Sequence, residues 1–573
     1  MTGFTKVVSG ETAITARGML REVAERALGR LWIDQVPVRL ASEDASLWSP
    51  APAESTRYDD RTRHGEQTRY SERVRPGEEP RPDEETQRDE GGRAPEEGRA
   101  VCWPGQPGPA RAVLVRVGEM RAHALENGLT DVVLLGRGAP ARAADVIVRH
   151  SPGAGPLTVL DGPDPGPLLR AAGDPDRLSR TLIVITGDDP GTETLRRVLL
   201  GMLADAGLSP TEIARRCVTV AAPGTAPAKF AAEAGHTLIE APAPTAFGAL
   251  SPYALVPAAL AGADTSALLD EAASVLPSLT RPEHNPGLIL GAILGGAVRA
   301  GRGTVVLGGY TTALTGVADW IAVLLDEAVQ GRLLPVVQEG GLPLVPAEDM
   351  FLVTLDGRPH QDDATVSGPL AAQLAVWEYA AAVAAYLLGL DPTAPPVRAA
   401  APTLDDGTGE PLLTDGEQGR AVEAHTADPA LAEAGGLVPL LDALAARVGP
   451  DEHLALVAYL DADAEHGQGA QVRRLAALLA ARCARPVTVS WGFRYPALGN
   501  DLQEKGVYLM VTGNVEHDVP VPDRHHRLGM LQLAQALGDA RAARGNGRPV
   551  VRLHLQNRWA GFARLLDRAR GGA

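Results

Sequence analysis

Short apolar runs alternate with helix-patterned segments along most of this chain, and that alternation limits its possible folds more than any other feature. Asp131–Leu135 and Thr181–Ile185 are examples, since both are short and rich in Val, Ile and Leu. Such runs are typical of strands that are buried on both faces. Strands that alternate with helices build parallel sheets covered by helices. The sequence therefore predicts an α/β fold.

The predicted strands fall into three groups. The first group is Asp131–Leu135, Leu157–Leu160, Thr181–Ile185, Val218–Ala222 and Thr237–Ile239. The second is Thr304–Leu307, Leu333–Val337 and Phe351–Leu355, followed by a long Ala-rich helix around Trp377–Leu390. The third is Leu454–Tyr459, Val487–Ser490, Tyr508–Thr512 and Val550–Leu555. Because 573 residues are too many for one ordinary core, we predict parallel-sheet domains at 106–267 and 268–395 and a C-terminal α/β block at 431–573.

Three other segments complete the predicted organisation. Residues 1–50 are predicted to be a helical segment, because Met19, Val23, Leu28 and Leu31 recur at helical spacing. Residues 396–430 are rich in Pro, Asp and Gly and are predicted to be a linker. Residues 51–105 are predicted to be a disordered charged insertion. From 54 to 99 it has 14 acidic and 10 basic residues and no Leu, Ile, Phe or Met, so it cannot bury enough apolar surface to offset its ordering entropy.

The overall composition restricts the partners of the chain. A formal net charge of −17 disfavours nucleic acid or an anionic membrane as a partner, but does not exclude a small phosphorylated ligand. Cys102, Cys217 and Cys483 are far apart and fit neither a disulfide framework nor a zinc site. The N-terminus has no signal-peptide pattern, and no uninterrupted apolar run reaches the ~18 residues that a membrane span needs. We therefore expect a cytoplasmic protein without a bound metal.

Two loops after predicted strands are candidates for ligand contacts, since parallel sheets bind ligands beyond the carboxyl ends of their strands. The first is the turn Gly136-Arg137-Gly138, where backbone amides could approach an anion. The second precedes a helix and suits phosphate through a set of hydroxyls and amides: Thr186, Gly187, Gly191, Thr192 and Thr194. Asp188 and Asp189 lie in the same loop and would repel phosphate. An ordinary turn with an acidic helix cap therefore stays open as the alternative.

A third candidate is the carboxylate pair Asp326-Glu327 at the end of an amphipathic helix. A carboxylate in that position acts as a general base if loss of solvent raises its pKa. The alternative is that both side chains are solvated. Nothing in the sequence has the Cys/His or Ser/His/Asp pattern of nucleophilic catalysis.

Five segments together resemble one known family. They are LSPYALVPAALAGAD, NPGLILGAILGGAVRAGRGT, ADWIAVLLDEAVQGRLLPV, WEYAAAVAAYLLGLDP and LGMLQLAQALGDARAARGNGRPVVRLHL, in that order. This combination resembles glucose-6-phosphate isomerase, particularly the form fused to transaldolase in bacteria. The resemblance implies two sugar-isomerase (SIS-type) domains plus the C-terminal α/β block. It also implies interconversion of glucose 6-phosphate and fructose 6-phosphate, without a metal or nucleotide cofactor.

The resemblance also implies roles for individual residues. Glu327 in LLDEAVQG occupies the place of the family's base, and Lys505 occupies the place of a lysine in a motif that has otherwise lost its histidines. The family's hydroxyl-rich phosphate loop corresponds to ITGDDPGTET, and its glycine loop corresponds to GRGAPA. The family's arginine in a GGRYSALS-like motif and its lysine after INPFDQP have no counterpart, because this chain has TAFGALS and LDPTAPPVRAAA.

Two functions therefore stay open. The first is an aldose–ketose isomerase in which Glu327 moves a proton through an enediol, with Arg137 or Lys505 supplying positive charge to the phosphate. The second is a non-catalytic family member that acts as partner or regulator of transaldolase or another pentose-phosphate enzyme. The preserved apolar segments and altered polar loops are compatible with both. A homodimer is the oligomeric state that the resemblance implies.

Overall fold

The computed structural model describes residues 4–48, 107–308, 314–338, 347–356, 364–393, 402–405, 409–450, 452–492 and 506–571. The predicted charged insertion at 51–105 and the candidate residue Lys505 lie outside these ranges.

The described residues form strands and helices in three groups. The strands are β1 (Phe4–Ser9), β2 (Thr12–Arg17), β3 (Asp131–Leu135), β4 (Leu157–Leu160), β5 (Thr181–Ile185), β6 (Cys217–Ala221), β7 (Thr237–Glu240), β8 (Thr304–Gly308), β9 (Leu334–Val337), β10 (Met350–Leu355), β11 (Ala364–Ser367), β12 (Leu413–Asp415), β13 (Val422–Thr426), β14 (His453–Ala458), β15 (Val487–Trp491), β16 (Gly506–Gly513) and β17 (Val550–Leu555). The helices are α1 (Gly18–Ile33), α2 (Val36–Ala41), α3 (Pro107–Glu126), α4 (Gly138–Arg149), α5 (Pro165–Ala172), α6 (Pro175–Ser179), α7 (Pro190–Asp205), α8 (Pro210–Arg215), α9 (Ala226–Ala234), α10 (Pro252–Ala261), α11 (Thr265–Ala273), α12 (Leu276–Leu279), α13 (Pro286–Arg299), α14 (Val317–Ala328), α15 (Leu370–Leu388), α16 (Pro429–Ala432), α17 (Leu437–Ala446), α18 (Gly469–Cys483), α19 (Leu528–Gly545) and α20 (Arg558–Arg570), with a 3₁₀ helix at Ala45–Trp48.

The first sheet has the strand order β4-β3-β5-β6-β7, and all of its neighbouring strands are parallel. Each of these strands was predicted from its apolar run, so the α/β fold class is confirmed. β3 and β5 lie side by side, with Leu135 opposite Ile185. The loops that follow these two strands therefore emerge next to each other.

The second sheet corrects one sequence prediction. Its order is β1-β2-β11-β10-β8-β9, in which β2 pairs antiparallel with β11. The first part of the predicted helical segment 1–50 is therefore a hairpin, and a helix begins only at Gly18. Ile14 and Ala16 of β2 are buried in the core cluster that includes side chains of α1 and α13. The place of the hairpin in the sheet is set by pairing with a strand some 350 residues later in the chain, which local periodicity cannot reveal.

The third sheet also extends beyond its predicted bounds. Its order is β12-β13-β17-β16-β14-β15, and β13 pairs antiparallel with β17. β12 and β13 lie within the predicted linker 396–430. The sequence prediction was wrong there because Gly416 and Gly419, which serve a tight connection between the two strands, have the composition of a linker.

α13 and α15 pack closely against each other. Gly287, Gly291 and Gly295 lie along one face of α13, and a Cβ atom at each would come within 3 Å of a side chain on α15: Tyr379, Val383 and Leu387, respectively. Both sets recur every fourth residue, so a ridge on α15 fits a groove of glycines on α13. The two helices approach each other this closely only because the glycines lack side chains.

A continuous hydrophobic core connects the first two sheets. One cluster of buried side chains includes Val132 of the first sheet, Val305 of the second, and most of α15. The predicted boundary at 267/268 therefore passes through this core. The C-terminal block docks on the other face of the first sheet, where Val519, Val521 and Leu528 pack. A buried ion pair between Arg558 and Asp164, 2.7 Å apart, joins the same two parts.

The α13–α15 contact gives a stability prediction. In a Gly291→Ala variant, the new Cβ atom would lie 2.5 Å from Cβ of Val383 and 2.8 Å from the backbone oxygen of Ala380. We expect the free energy of unfolding to fall by about 1–3 kcal/mol, because the helices must separate. Urea denaturation followed by circular dichroism measures the change.

Gly118→Ala on α3 is the matched control, since nothing lies within 4 Å of its added Cβ atom. This variant should be neutral or more stable by up to about 1 kcal/mol, because alanine favours the helix. Equal effects of the two substitutions would contradict the tight contact.

Candidate functional site

The candidate base Glu327 lies against the turn between β3 and α4. Its Oε2 accepts a hydrogen bond of 3.2 Å from the backbone N–H of Ala139, in the first turn of α4. Gly138 has a φ of +75°, and a Cβ atom there would lie 2.5 Å from Oε1 of Glu327. This position therefore favours glycine for its left-handed backbone and for the space that the carboxylate occupies. The structure thus brings together two features that lie far apart in the sequence.

Burial changes the acid–base properties of Glu327. Loss of solvent raises its pKa to about 7, although the Ala139 N–H and the charge of Arg137 favour the ionised form. The neighbouring Asp326 has a pKa raised to about 6, also by burial. A helix N-terminus stabilises a nearby negative charge, so α4 holds the Glu327 carboxylate in place. A carboxylate with a pKa near neutrality can accept and return a proton at physiological pH.

In the predicted phosphate loop, the side chain of Asp189 accepts hydrogen bonds from the donors of the loop itself. Oδ1 of Asp189 accepts hydrogen bonds from the N–H groups of Gly191 (2.9 Å) and Thr192 (3.2 Å), and Oδ2 accepts one from the Thr192 hydroxyl (2.6 Å). Arg137 donates to the same carboxylate at 3.0 Å. Asp189 therefore caps α7 with groups that were predicted to bind the phosphate of a ligand.

This arrangement favours the ionised form of the Asp189 carboxylate. Burial opposes its ionisation, but the charge of Arg137 and the hydrogen bonds from Thr192 outweigh it and lower its pKa. Arg137 and Asp189 are each about a quarter exposed, so solvent weakens the pair only partly. An anion that entered the loop would meet a carboxylate already bound to these donors.

The remaining predicted site residues have the following places. A Cβ atom at Gly136 would overlap the hydroxyl oxygen of Thr186, and one at Gly187 would overlap the hydroxyl oxygen of Thr192. The Thr186 and Thr194 hydroxyls donate to the backbone oxygens of Leu135 and Pro190, respectively. The Thr186–Thr194 loop and Glu327 therefore flank the same Gly136-Arg137-Gly138 turn. Their roles in binding or catalysis stay predictions.

Sequence reasoning missed one buried acid near this site. Glu378 on α15 is fully buried and accepts a hydrogen bond of 2.7 Å from the N–H of Ala249. A sequence signal was available, since Glu378 is the only charged residue of an otherwise uncharged helix. A lone charge in such a helix is expensive to bury without a structural or functional reason.

Two properties of the described ranges bear on the expected partners. No group of three or more His, Cys, Asp or Glu side chains within them could hold a metal ion. α15 is long and apolar enough to cross a membrane, although nearly all of its residues are buried within the protein. The core helix of a globular protein passes the same test, so α15 is weak evidence for a membrane span.

Similarity to known proteins bears on the predicted family. A protein named as a probable glucose-6-phosphate isomerase, from Natronomonas pharaonis, is 33% identical to this chain over 209 residues. The predicted resemblance to glucose-6-phosphate isomerase is confirmed. The match covers 35% of this chain and 46% of the relative, so this chain aligns with less than half of that protein. No protein-family model matches the chain.

Two solved structures are also similar. A glucose-6-phosphate isomerase from Chlamydia trachomatis has a TM-score of 0.49 and 12% identity, and the match covers 68% of this chain and 86% of that one. A hypothetical protein from Thermus thermophilus has a TM-score of 0.44 and 20% identity, with 52% and 88% covered. Neither likeness is close enough to transfer residue roles to this chain.

The occupied loop gives a binding prediction. An Asp189→Ser variant should bind inorganic phosphate at least about tenfold more tightly than the unchanged protein, because the carboxylate that repels an anion at this loop and pairs with Arg137 is removed. Serine is also a good helix cap, so the variant should keep its fold. Isothermal titration calorimetry with phosphate measures the affinity.

Asp264→Ser is the matched control, because Asp264 caps α11 in the same way, through the Ala267 N–H. It should leave phosphate binding unchanged. If the unchanged protein binds phosphate as tightly as Asp189→Ser, the carboxylate does not block the loop.

Proposed function

We propose that this chain is an aldose–ketose isomerase of the glucose-6-phosphate isomerase type, which interconverts glucose 6-phosphate and fructose 6-phosphate. Glu327 would remove a proton from C2 of the open-chain aldose and return it to C1 of the resulting enediol, while a proton passes from the C2 hydroxyl to the C1 oxygen. The observation that carries the proposal is the Glu327 carboxylate, which burial gives a pKa of about 7 and which the N-terminus of α4 holds in place. The similarity to a protein named for this reaction supports it.

The chemistry of the step agrees with the position of Glu327. An isomerase base must be ionised to accept the proton and must then return it, which a group with a pKa near neutrality does in both directions. The first turn of α4 lies directly against the carboxylate. The backbone N–H groups of this turn carry a partial positive charge. This charge would partly offset the negative charge that develops on the sugar oxygens in the enediol.

A second candidate function is favoured by the Arg137–Asp189 pair. The phosphate of a sugar would have to displace Asp189 from Arg137, Gly191 and Thr192 before it could use those donors. A family member that no longer binds phosphate would keep the fold and act as partner or regulator of a pentose-phosphate enzyme such as transaldolase. A homodimer, which the resemblance implies, is compatible with either function.

An assay of fructose 6-phosphate formation from glucose 6-phosphate tests the first function. We expect Glu327→Gln to lower kcat/KM by about 10²–10⁴-fold, because glutamine cannot accept the proton. In the unchanged protein, kcat/KM should rise with pH through about 7 and level off above it, since the base must be ionised and burial raises its pKa to about 7. Coupled spectrophotometry between pH 5.5 and 8.5 measures both effects.

Glu25→Gln serves as the control, because Glu25 is exposed on α1 and pairs with Arg21 of the same helix. This control should keep full activity. Activity that survives Glu327→Gln would remove Glu327 from the mechanism. A folded but inactive unchanged protein would favour the second function, and titration with purified transaldolase would then test it directly.

A further inference from the structure

Glu378 is an acid in the apolar interior of the protein. Glu378 lies in the middle of α15 and has no exposed surface. Its Oε1 accepts a hydrogen bond of 2.7 Å from the Ala249 N–H, while Oε2 has no hydrogen-bond partner among the described residues. Burial raises its pKa to about 8, against the effect of the Ala249 and Gly248 N–H groups. At pH 7 and below the side chain is therefore mostly an uncharged carboxylic acid.

The group that Glu378 holds is a tight turn before α10. The Ser251 hydroxyl donates to the backbone oxygen of Gly248 at 2.7 Å. The same hydroxyl accepts from the N–H of Tyr253, so Ser251 caps the N-terminus of α10. Ala249 is itself fully buried, so its N–H depends on the Glu378 carboxyl group for an acceptor. A buried N–H without an acceptor destabilises the backbone that carries it.

The same turn packs directly against the first turn of α4. A Cβ atom at Gly248 would lie 2.7 Å from Cγ of Pro140, so the turn has no room to move toward α4. Pro140 follows Ala139, whose N–H donates to Glu327. The contacts therefore run without a gap from Glu378 through Gly248 and Pro140 to the carboxylate of Glu327.

We propose that Glu378 is a positioning residue for Glu327. Its buried carboxyl group holds the turn at 248–251 against Pro140, and the first turn of α4 then holds the Glu327 carboxylate. The inference rests on the proposed role of Glu327 as the base, because positioning matters for function only if that carboxylate reacts. Glu378 itself does not need to contact the substrate.

The test compares two substitutions of similar size. Glu378→Gln keeps an oxygen acceptor for the Ala249 N–H, whereas Glu378→Met fills the space without one. The pKa of Glu327 is measured by ¹³C NMR on protein with labelled glutamate, with the signal assigned by its loss in Glu327→Gln. This readout needs no enzymatic activity, so the inference and the proposed function can fail separately.

We expect Glu378→Gln to leave the pKa of Glu327 near 7, where it lies in the unchanged protein. In Glu378→Met the pKa should shift by roughly one pH unit or more, because the loosened turn changes both the access of water to the carboxylate and its hydrogen bond from the Ala139 N–H. If the proposed activity is present, kcat should fall in the methionine variant and be retained in the glutamine variant. A folded methionine variant with an unchanged Glu327 pKa would overturn the inference, as would equal behaviour of the two variants.

A second variant decides the matter if Glu378→Met does not fold. Gly248→Ala keeps Glu378 but forces the turn away from Pro140, where the new Cβ atom would lie 2.7 Å from Cγ. It should shift the pKa of Glu327 in the same direction as Glu378→Met does. An unchanged pKa in folded Gly248→Ala protein would show that the turn does not position Glu327.

Discussion

The close approach of α13 and α15 is the contact on which the rest of the structure depends. Three glycines on α13 admit the side chains of α15 to distances that no larger residue would allow. α15 then lies at the centre of the core that joins the first two sheets. Because Glu378 is carried by this helix, the same contact places a buried acid against the turn before α10. The packing of these two apolar helices therefore fixes the position of an acid whose turn contacts the candidate site.

The candidate site combines a buried carboxylate with the acid–base properties of a general base and a second carboxylate that already accepts from the donors of the candidate phosphate loop. Glu327 is desolvated, held by the start of α4 and brought to a pKa of about 7, which is the condition of a general base. Asp189 neutralises Arg137 and takes up the start of α7, where an external anion would otherwise bind. The balance between these two carboxylates distinguishes the two proposed functions.

Local patterns were sufficient for most of the fold. β3, β5 and β17 have the bounds that their apolar runs predict, because strands buried on both faces leave a continuous apolar signal. The hairpin of β1 and β2 was missed, since its strands mix polar with apolar residues and its place in the sheet is set by pairing with the distant β11. β12 and β13 were missed because the glycine-rich connection between them resembles a linker. Both errors concern antiparallel strands added to the edge of a parallel sheet by distant residues.

The sequence by itself determined the α/β class, the three groups of strands, the resemblance to an isomerase family and the identity of Glu327 as a candidate base. Only the tertiary structure decided the state of that base, because its pKa depends on burial and on an amide 188 residues away in the chain. It also decided that Asp189 binds Arg137, a contact across 52 residues. Whether a loop carboxylate only repels a phosphate or also takes up its hydrogen-bond donors depends on where the carboxylate oxygens lie. Only the folded chain fixes the position of these oxygens.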